Sequence, residues 1–184
     1  AHYAVRLLWQ AGVPRSAVQL VTGSGSRVGA QLVADPRVQG VMFTGSTEVA
    51  RILQATLARR LSPDGKPVPL IAETGGQNCM VVDSSALTEQ VVNDVVSSAF
   101  DSAGQRCSAL RVLCLQEEVA DRVIQMLKGA MAEQRLGQPD ALNVDIGPVI
   151  DAEARDGIAR HIDAMRAKGR PVFQQARQAA GAIE

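Results

Sequence analysis

The sequence predicts an α/β fold, because short apolar runs alternate with amphipathic helical patterns along most of the chain. Parallel neighbouring strands need crossover connections, so this alternation indicates a mostly parallel sheet with helices on both faces. The 184 residues suffice for one domain or for pieces of two. A hydrophobic content of 46% is that of an ordinary globular chain.

The first third of the chain alternates between helical and strand patterns. Val5, Leu8 and Trp9 predict a helix that ends near Gly12. The elements predicted next are a buried strand at 18–23 (VQLVTG), a helix at 26–35, a strand at 38–45 and a helix at 47–60. The apolar face of this last helix comprises Val49, Ile52, Leu53 and Leu57.

The remaining sequence continues the alternation after a break at 62–67 (SPDGKP). The predicted elements are apolar runs at 68–76 and 78–83, a helix at 87–103, a strand at 111–116, a helix at 120–134, a loop at 142–150 and a helix at 152–169. The tail at 174–184 is weakly patterned, and we expect it to fray.

The charge balance argues against a nucleic-acid or membrane partner. Basic and acidic residues both number 19, so no global field would gather an anionic polymer or surface. The charge is uneven, with a net +5 in residues 1–72 and −5 in residues 73–184. No apolar run approaches the roughly 18 residues of a transmembrane helix, and we expect a cytoplasmic protein.

The cysteine and histidine content excludes two kinds of site. Three cysteines is an odd number, and none lies in a CxxC pair, so a disulfide framework is not expected. Only His2 and His161 could supply imidazole ligands, so no metal site is expected either.

A glycine-rich turn at 22–29 (TGSGSRVG) lies between a predicted strand and a predicted helix. Gly23 and Gly25 would let the backbone approach a ligand, and the helix N-terminus offers free N–H groups to a phosphate. The spacing is GxGxxxG, not GxGxxG, and the next strand ends at Thr44 instead of an acidic residue. A structural turn and a nucleotide site therefore both remain open.

A second strand–glycine–helix turn occurs at 43–50 (FTGSTEVA). Gly45 follows the strand, and Ser46 and Thr47 are candidate helix caps. Two such turns in succession favour a dinucleotide site. A purely structural turn, in which Ser46 or Thr47 caps the helix and Gly45 allows the chain to turn, also explains this segment.

Glu73 follows an apolar run and precedes two glycines, at 72–78 (AETGGQN). This position predicts a half-buried carboxylate at the mouth of a strand. Burial raises the pKa of a carboxyl group, which suits a general base. A strand-end carboxylate that caps backbone amides is the equally open alternative.

Cys107, in SAGQRCSAL at 102–110, has small and polar neighbours, including Arg106. Positive charge and backbone N–H groups stabilise a thiolate, so this cysteine is the candidate nucleophile. Cys79 and Cys114 lie inside apolar strand-like runs, which predicts inert core residues. With His161 expected on a solvated helix face, Glu73 is the plausible base for Cys107.

Three ordered motifs, FTGSTEVA, ETGG and GQRCSA, together resemble the NAD(P)-dependent aldehyde dehydrogenases. The 34-residue separation of Glu73 and Cys107 also matches that family. The resemblance covers essentially the whole chain. It is closest to the pyrroline-5-carboxylate dehydrogenase part of the bifunctional proline-utilisation flavoproteins, which oxidise proline to glutamate.

The resemblance implies a catalytic role for two residues and a substrate role for a third. Cys107 would attack the aldehyde and carry the acyl group as a thioester. Glu73 would activate the water that hydrolyses this thioester. Ser108 would contact the carboxylate of a semialdehyde substrate.

The resemblance also implies a cofactor site for NAD, with NADP not excluded. Gly23 and Gly25 match the loop on the adenosine side. The residues that match the nicotinamide and pyrophosphate side are Thr44, Gly45, Ser46 and Thr74.

The family boundary implies two partial domains, the C-terminal part of a Rossmann-type NAD-binding domain at 1–75 and the N-terminal part of the catalytic domain at 76–184. Ala50 and Thr74 depart from the family's usual glycine and leucine. An oxyanion asparagine and a ribose-binding lysine would precede Ala1, and a second ribose contact would follow Glu184. We therefore expect a fragment that is inactive alone.

The same resemblance implies that FAD would be bound only by a fused proline dehydrogenase domain, which this chain lacks. The parent protein would be a homo-oligomer that acts on a small-molecule aldehyde. Two other functions remain open on the residues alone. One is a non-catalytic nucleotide-binding or structural module, and the other is a cysteine hydrolase with a histidine near Cys107.

Overall fold

The structure is a computed structural model, and it describes residues 1–175. A helix connects the two strands of each pair, as the α/β prediction requires. The helices are α1 (His2–Gln10), α2 (Ala30–Ala34), α3 (Thr47–Leu57), α4 (Thr88–Phe100), α5 (Glu117–Glu133) and α6 (Ala152–Ala167). The strands are β1 (Val41–Thr44), β2 (Leu70–Glu73), β3 (Asn78–Val82) and β4 (Leu110–Leu115). A π-helical turn at Gly25–Gly29 leads into α2, and a 3₁₀ turn at Asp101–Gly104 follows α4.

The chain divides into two compact units, Ala1–Thr74 and Gly75–Glu184. Each unit contains one two-stranded sheet, β1–β2 in the first and β3–β4 in the second. Both strand pairs are parallel, which agrees with the predicted parallel pairing.

The first unit buries a small apolar cluster beneath its sheet. Its buried members are Val33, Leu57 and Val68, and partly buried Val41, Leu53 and Leu70 pack against them. The cluster joins α2, α3, the segment before β2 and both strands. It therefore fixes the β1–β2 pair, in which Thr44 lies opposite Glu73.

The prediction of a strand at 18–23 is wrong. This segment forms no strand, and Val21 is 59% exposed. Its clearest tertiary contact is the hydrogen bond from the Trp9 indole Nε1 to the Val18 carbonyl oxygen, at 2.9 Å. An apolar run becomes a strand only beside another strand, and 18–23 pairs with none of those in the described residues.

The apolar face predicted for α3 is only partly buried. Leu57 is buried and Leu53 packs against the cluster, but Val49 and Ile52 are exposed, Ile52 by 64%. The third inward position is taken by Ala50. The helix therefore turns its small residue inward and leaves two larger ones outside.

The second unit has the larger core, formed between the β3–β4 sheet and helices α4 and α5. Its buried members are Val82, Val91, Val92, Val95, Leu110 and Val123. Val123 of α5 is 1% exposed. This core fixes the end of α4 and the start of β4, which are the two ends of the segment that carries Cys107.

The described residues contain no helix that is long and apolar enough to cross a membrane. Most of the weakly patterned tail at 174–184 lies outside the described residues, so its predicted fraying is not described.

Candidate active site

Cys107 lies at an exposed turn between α4 and β4. The Ala109 N–H donates to the Arg106 carbonyl oxygen at 3.1 Å, so Cys107 and Ser108 are the two central residues of a β-turn. Within residues 1–175, neither of their N–H groups donates a hydrogen bond to a protein acceptor. The exposed Cys107 therefore lies in a turn whose two central N–H groups have no protein acceptor among the described residues.

The backbone reverses into this turn through three left-handed residues. Ser102, Ala103 and Gly104 have φ values of 56°, 53° and 67°. The first two are strained, because a side chain disfavours this region. At Gly104 a Cβ would lie 2.7 Å from the Ala99 carbonyl oxygen, so only glycine fits.

Two long side chains hold the strained segment in place. Arg111 donates from Nη2 to the Gly104 carbonyl oxygen at 2.7 Å. Gln105 donates from Nε2 to the Ser102 carbonyl oxygen at 3.1 Å, and its Oε1 accepts from the Ile150 N–H at 2.7 Å. The first two bonds satisfy carbonyl oxygens of the strained segment, and the third ties Gln105 to the segment before α6.

Arg106 has a different role from the one its place in the sequence predicts. Its Nη2 donates to the carbonyl oxygens of Ser97 and Ser98, at 3.0 and 3.4 Å. The guanidinium therefore binds the last turn of α4, where a positive charge is favourable, and its hydrogen bonds do not involve the thiol.

Cys79 and Cys114 are exposed, which contradicts the prediction that they are core residues. The strands are correctly predicted, but the side chains alternate, and Met80, Val82, Leu113 and Leu115 take the core side. Cys79 pairs with Val112 and Cys114 pairs with Val81 on the opposite face. Exposure alone therefore does not distinguish Cys107 from the other two cysteines.

Glu73 is the last residue of β2, at the mouth of the strand as predicted. Its side chain is exposed and not half-buried, because no other element of the first unit covers this end of the sheet. The Glu73 carbonyl oxygen accepts from the Gly45 N–H at 3.1 Å. The carboxylate is thus open to water beside the end of β1.

The carboxyl edge of the β1–β2 sheet brings together five of the predicted site residues. They are Thr44, Gly45, Ser46, Glu73 and Thr74. Ligands of open α/β sheets bind at this edge. Cys107 and Ser108 belong to the second unit.

Ser46 is the N-cap of α3, and its Oγ accepts from the Val49 N–H at 3.3 Å. Glu48 also lies in this first turn. Hydrogen bonds from its own backbone N–H and from the Ser46 hydroxyl lower the pKa of Glu48, so an anion already occupies part of the helix N-terminus. A phosphate at this end would have to share the donors with that carboxylate.

Gly45 has a packing reason for lacking a side chain, since a Cβ there would overlap the ring of Phe43. Gly23 is similar, because a Cβ would overlap the Val28 side chain. Gly25 has open space where its Cβ would be. No hydrogen bond joins Gly23 or Gly25 to Gly45 within residues 1–175.

Comparison with known proteins gives the family. The model of the aldehyde dehydrogenase family matches residues 1–182. The chain belongs to the aldehyde dehydrogenase family. It is 66% identical over 178 residues to the bifunctional protein PutA of Salmonella typhimurium, a match that spans 97% of this chain and 14% of that protein.

Solved structures agree with this assignment. A crystal structure of proline utilization A (PutA) from Bradyrhizobium japonicum superimposes with a TM-score of 0.91 at 53% identity, over 98% of this chain and 18% of that one. A 1-pyrroline-5-carboxylate dehydrogenase from Thermus with bound NAD gives a TM-score of 0.86 at 30% identity, over 97% of this chain and 34% of that one. The aldehyde dehydrogenase fold predicted from the motifs is thereby confirmed.

Sequence reasoning missed Asn78, whose side chain hydrogen-bonds the Cys107 carbonyl oxygen. The available signal was a polar residue at the start of an otherwise apolar strand. His161 is exposed in the middle of α6, and neither histidine hydrogen-bonds Cys107 in the described chain. No observation thus supports a cysteine–histidine pair.

Proposed function

We propose that the full-length protein is a cytoplasmic enzyme that oxidises an aldehyde to a carboxylic acid with NAD, through a thioester on Cys107. The observation that carries this proposal is the exposed turn, which presents the thiol with two free N–H groups in a member of the aldehyde dehydrogenase family. The names of the relatives favour glutamate semialdehyde, the open form of pyrroline-5-carboxylate, as the substrate in proline breakdown.

The first step is attack of the Cys107 thiolate on the aldehyde carbon, which forms a C–S bond and places negative charge on the oxygen. The free Cys107 N–H is available to donate to that oxyanion. When bound, NAD supplies the acceptor for the hydride that leaves this carbon. The carbon is oxidised, and Cys107 then carries a thioester.

The second step is hydrolysis, for which Glu73 is the base. Its carboxylate is open to water at the end of β2. It would accept a proton from a water molecule while the water oxygen attacks the thioester carbon. The C–S bond then breaks, which releases the carboxylic acid and restores the thiolate.

NAD would be held at the carboxyl edge of the β1–β2 sheet. The residues suited to contact it are Thr44, Gly45, Ser46 and Thr74, with Gly23 and Gly25 on the adenosine side. The fit is supported by exposed Thr44 and Ser46 beside the N-terminus of α3, since helix N-terminal N–H groups bind phosphate. The open space at Gly25 would admit the cofactor closely.

Ser108 would bind the carboxylate of the semialdehyde. Ser108 directly follows Cys107 and is exposed, and its N–H makes no hydrogen bond within the described residues. A hydroxyl and an N–H can both donate to one carboxylate, which would orient the aldehyde end toward the thiol.

We assign the two compact units to the two partial domains expected from the sequence. The first, with the cofactor residues, would be the C-terminal part of the NAD-binding domain. The second would be the N-terminal part of the catalytic domain. The full-length protein would be a homo-oligomer, and FAD would be confined to a proline dehydrogenase domain outside this chain.

The test is an assay of NADH formation from NAD and glutamate semialdehyde by the full-length protein and by Cys107→Ser. We expect the substitution to lower kcat by about 10⁴-fold or more, as loss of a nucleophile does. Cys114→Ser is the matched control, because this cysteine is also exposed. Equal activity of Cys107→Ser and wild type would refute the role of Cys107, and a wild-type protein that forms no NADH would refute the proposed activity.

A further inference from the structure

The side chain of Asn78 contacts the turn that carries Cys107. Its Nδ2 donates to the Cys107 carbonyl oxygen at 2.7 Å and to the Ala109 carbonyl oxygen at 3.0 Å. A carboxamide NH₂ has two hydrogens, so it can make both bonds at once. Asn78 is the first residue of β3 and pairs with Leu110 at the start of β4.

The two hydrogen bonds from Asn78 add to the one inside the turn. Its internal bond runs from the Ala109 N–H to the Arg106 carbonyl oxygen. The bonds from Asn78 fix the peptide groups that follow Cys107 and Ala109. Ala109 is 0% exposed, so the turn is anchored on its C-terminal side while Cys107 stays exposed.

Gly76 leaves the room that this arrangement needs. A Cβ at Gly76 would lie 3.2 Å from Asn78 Oδ1 and 3.4 Å from the Cys107 carbonyl oxygen. The first distance is tight for a carbon atom, and the second is an ordinary van der Waals contact. A side chain at Gly76 would therefore press on the carboxamide oxygen of Asn78.

We propose that Asn78 is a positioning residue for Cys107, which holds the turn so that the thiol and the Cys107 N–H keep the geometry needed for attack on a carbonyl. This inference rests on the proposed nucleophilic role of Cys107. Asn78 acts through the backbone of the turn and does not touch the substrate. A displacement of about 1 Å at a reacting group can lower a rate by about 100-fold.

The experiment compares Asn78→Ala and Asn78→Asp with wild type in the full-length protein. The alanine removes the donor, and the aspartate keeps the shape but cannot donate to a carbonyl when ionised. Asn93→Asp is the matched control, since Asn93 is exposed on α4 and its side chain makes no hydrogen bond in the described residues.

Two rates are measured. Each is divided by the amount of reactive Cys107, which is determined by mass spectrometry as the fraction that iodoacetamide alkylates. One is kcat for NADH formation. The other is the release of nitrophenolate from p-nitrophenyl acetate, in which the thiolate attacks the ester carbonyl, the C–O bond breaks and Cys107 is acetylated without any cofactor. We expect both Asn78 variants to lower both rates by about 10- to 100-fold, with the KM for NAD within about twofold of wild type.

A purely structural role would give a different result. It would lower Tm and the number of reactive thiols, but each remaining thiol would react at the wild-type rate, and this outcome overturns the proposal. If Asn78→Ala fails to fold, Asn78→Asp carries the test, because it keeps the shape of the side chain and removes only the donor. An Asn78→Asp protein that reacts at the wild-type rates also overturns the proposal.

Failure of the proposed function is distinguishable from failure of this inference. A wild-type protein that forms no NADH but acetylates Cys107, more slowly in Asn78→Ala, refutes the dehydrogenase and supports the positioning role. An active wild type whose Asn78 variants are unchanged in both rates refutes the positioning role alone.

Discussion

At Cys107 the backbone changes direction twice within eight residues. Ser102, Ala103 and Gly104 lie in the left-handed region, and a β-turn over 106–109 follows. Strained backbone of this kind persists only where its surroundings hold it, and it clusters at functional sites. Because all three cysteines are exposed, this geometry and the free N–H groups, not access to solvent, set Cys107 apart.

The sequence singled out Cys107, Glu73 and the glycine turns as places where chemistry could occur, and their roles stay predictions. It could not show how the turn is held. The side chains of Asn78 and Arg111 donate hydrogen bonds to carbonyl oxygens of residues that lie 7 to 31 positions away in the sequence. Such bonds depend on which strands and turns become neighbours, and single-sequence patterns do not contain that information.

A pH-dependent contribution to stability arises at Asp35. The Arg37 side chain donates from Nη2 to Asp35 Oδ2 at 2.7 Å and from Nε to Oδ1 at 2.9 Å. These bonds hold the pKa of Asp35 well below its usual value of 3.8. The carboxylate therefore stabilises the fold fully above pH 3.8, and this contribution is lost as the pH falls toward the lower pKa of the folded state.

Asp35→Asn is accordingly expected to be less stable than wild type at about pH 7, and the difference should shrink at about pH 3. The measurement is the free energy of unfolding in urea at both pH values. Asp140→Asn, which removes an exposed acid of the second unit that makes no salt bridge in the described residues, is the control for the substitution itself. A difference for Asp35→Asn that stays constant with pH would contradict the assignment.

At the scale of the elements, the β3–β4 sheet and helices α4 and α5 form the core that supports the Cys107 turn. Val123 of α5 is 1% exposed and belongs to this core. Ile124, its neighbour on the same helix, is 41% exposed. The pair allows the contribution of burial to be measured on one helix.

Val123→Ala should lower the free energy of unfolding by about 1–3 kcal/mol, because it removes buried methyl groups and leaves a cavity. Ile124→Ala, the matched control, should cost clearly less. Chemical denaturation of the two variants measures both values. A larger cost for Ile124→Ala would show that the core is placed wrongly on α5.

Most elements were predictable from the sequence because their apolar residues recur in a clear pattern, as in α5 and β4. The strand predicted at 18–23 failed because an apolar run does not reveal whether a neighbouring strand exists. The prediction that Cys79 and Cys114 are core residues failed for a related reason. An apolar run of five or six residues predicts a strand, but it does not show that only one face of that strand is covered.

At the scale of the molecule, the proposed chemistry draws on both compact units. Glu73 and the cofactor residues belong to Ala1–Thr74, and Cys107 belongs to Gly75–Glu184. The chain spans 14% of the length of the PutA protein of Salmonella typhimurium and 34% of the Thermus dehydrogenase structure. The proposed activity is therefore assigned to the full-length protein.

The most direct test of this account is to trap the thioester. The Glu73→Gln variant of the full-length protein is mixed with NAD and glutamate semialdehyde, quenched in acid and digested, and the cysteine peptides are weighed by mass spectrometry. Because hydride transfer precedes the step that needs Glu73, we predict a burst of NADH and an acyl group that accumulates on Cys107. NADH formation with the acyl group on Cys79 or Cys114, or with no acylated cysteine, would contradict the account.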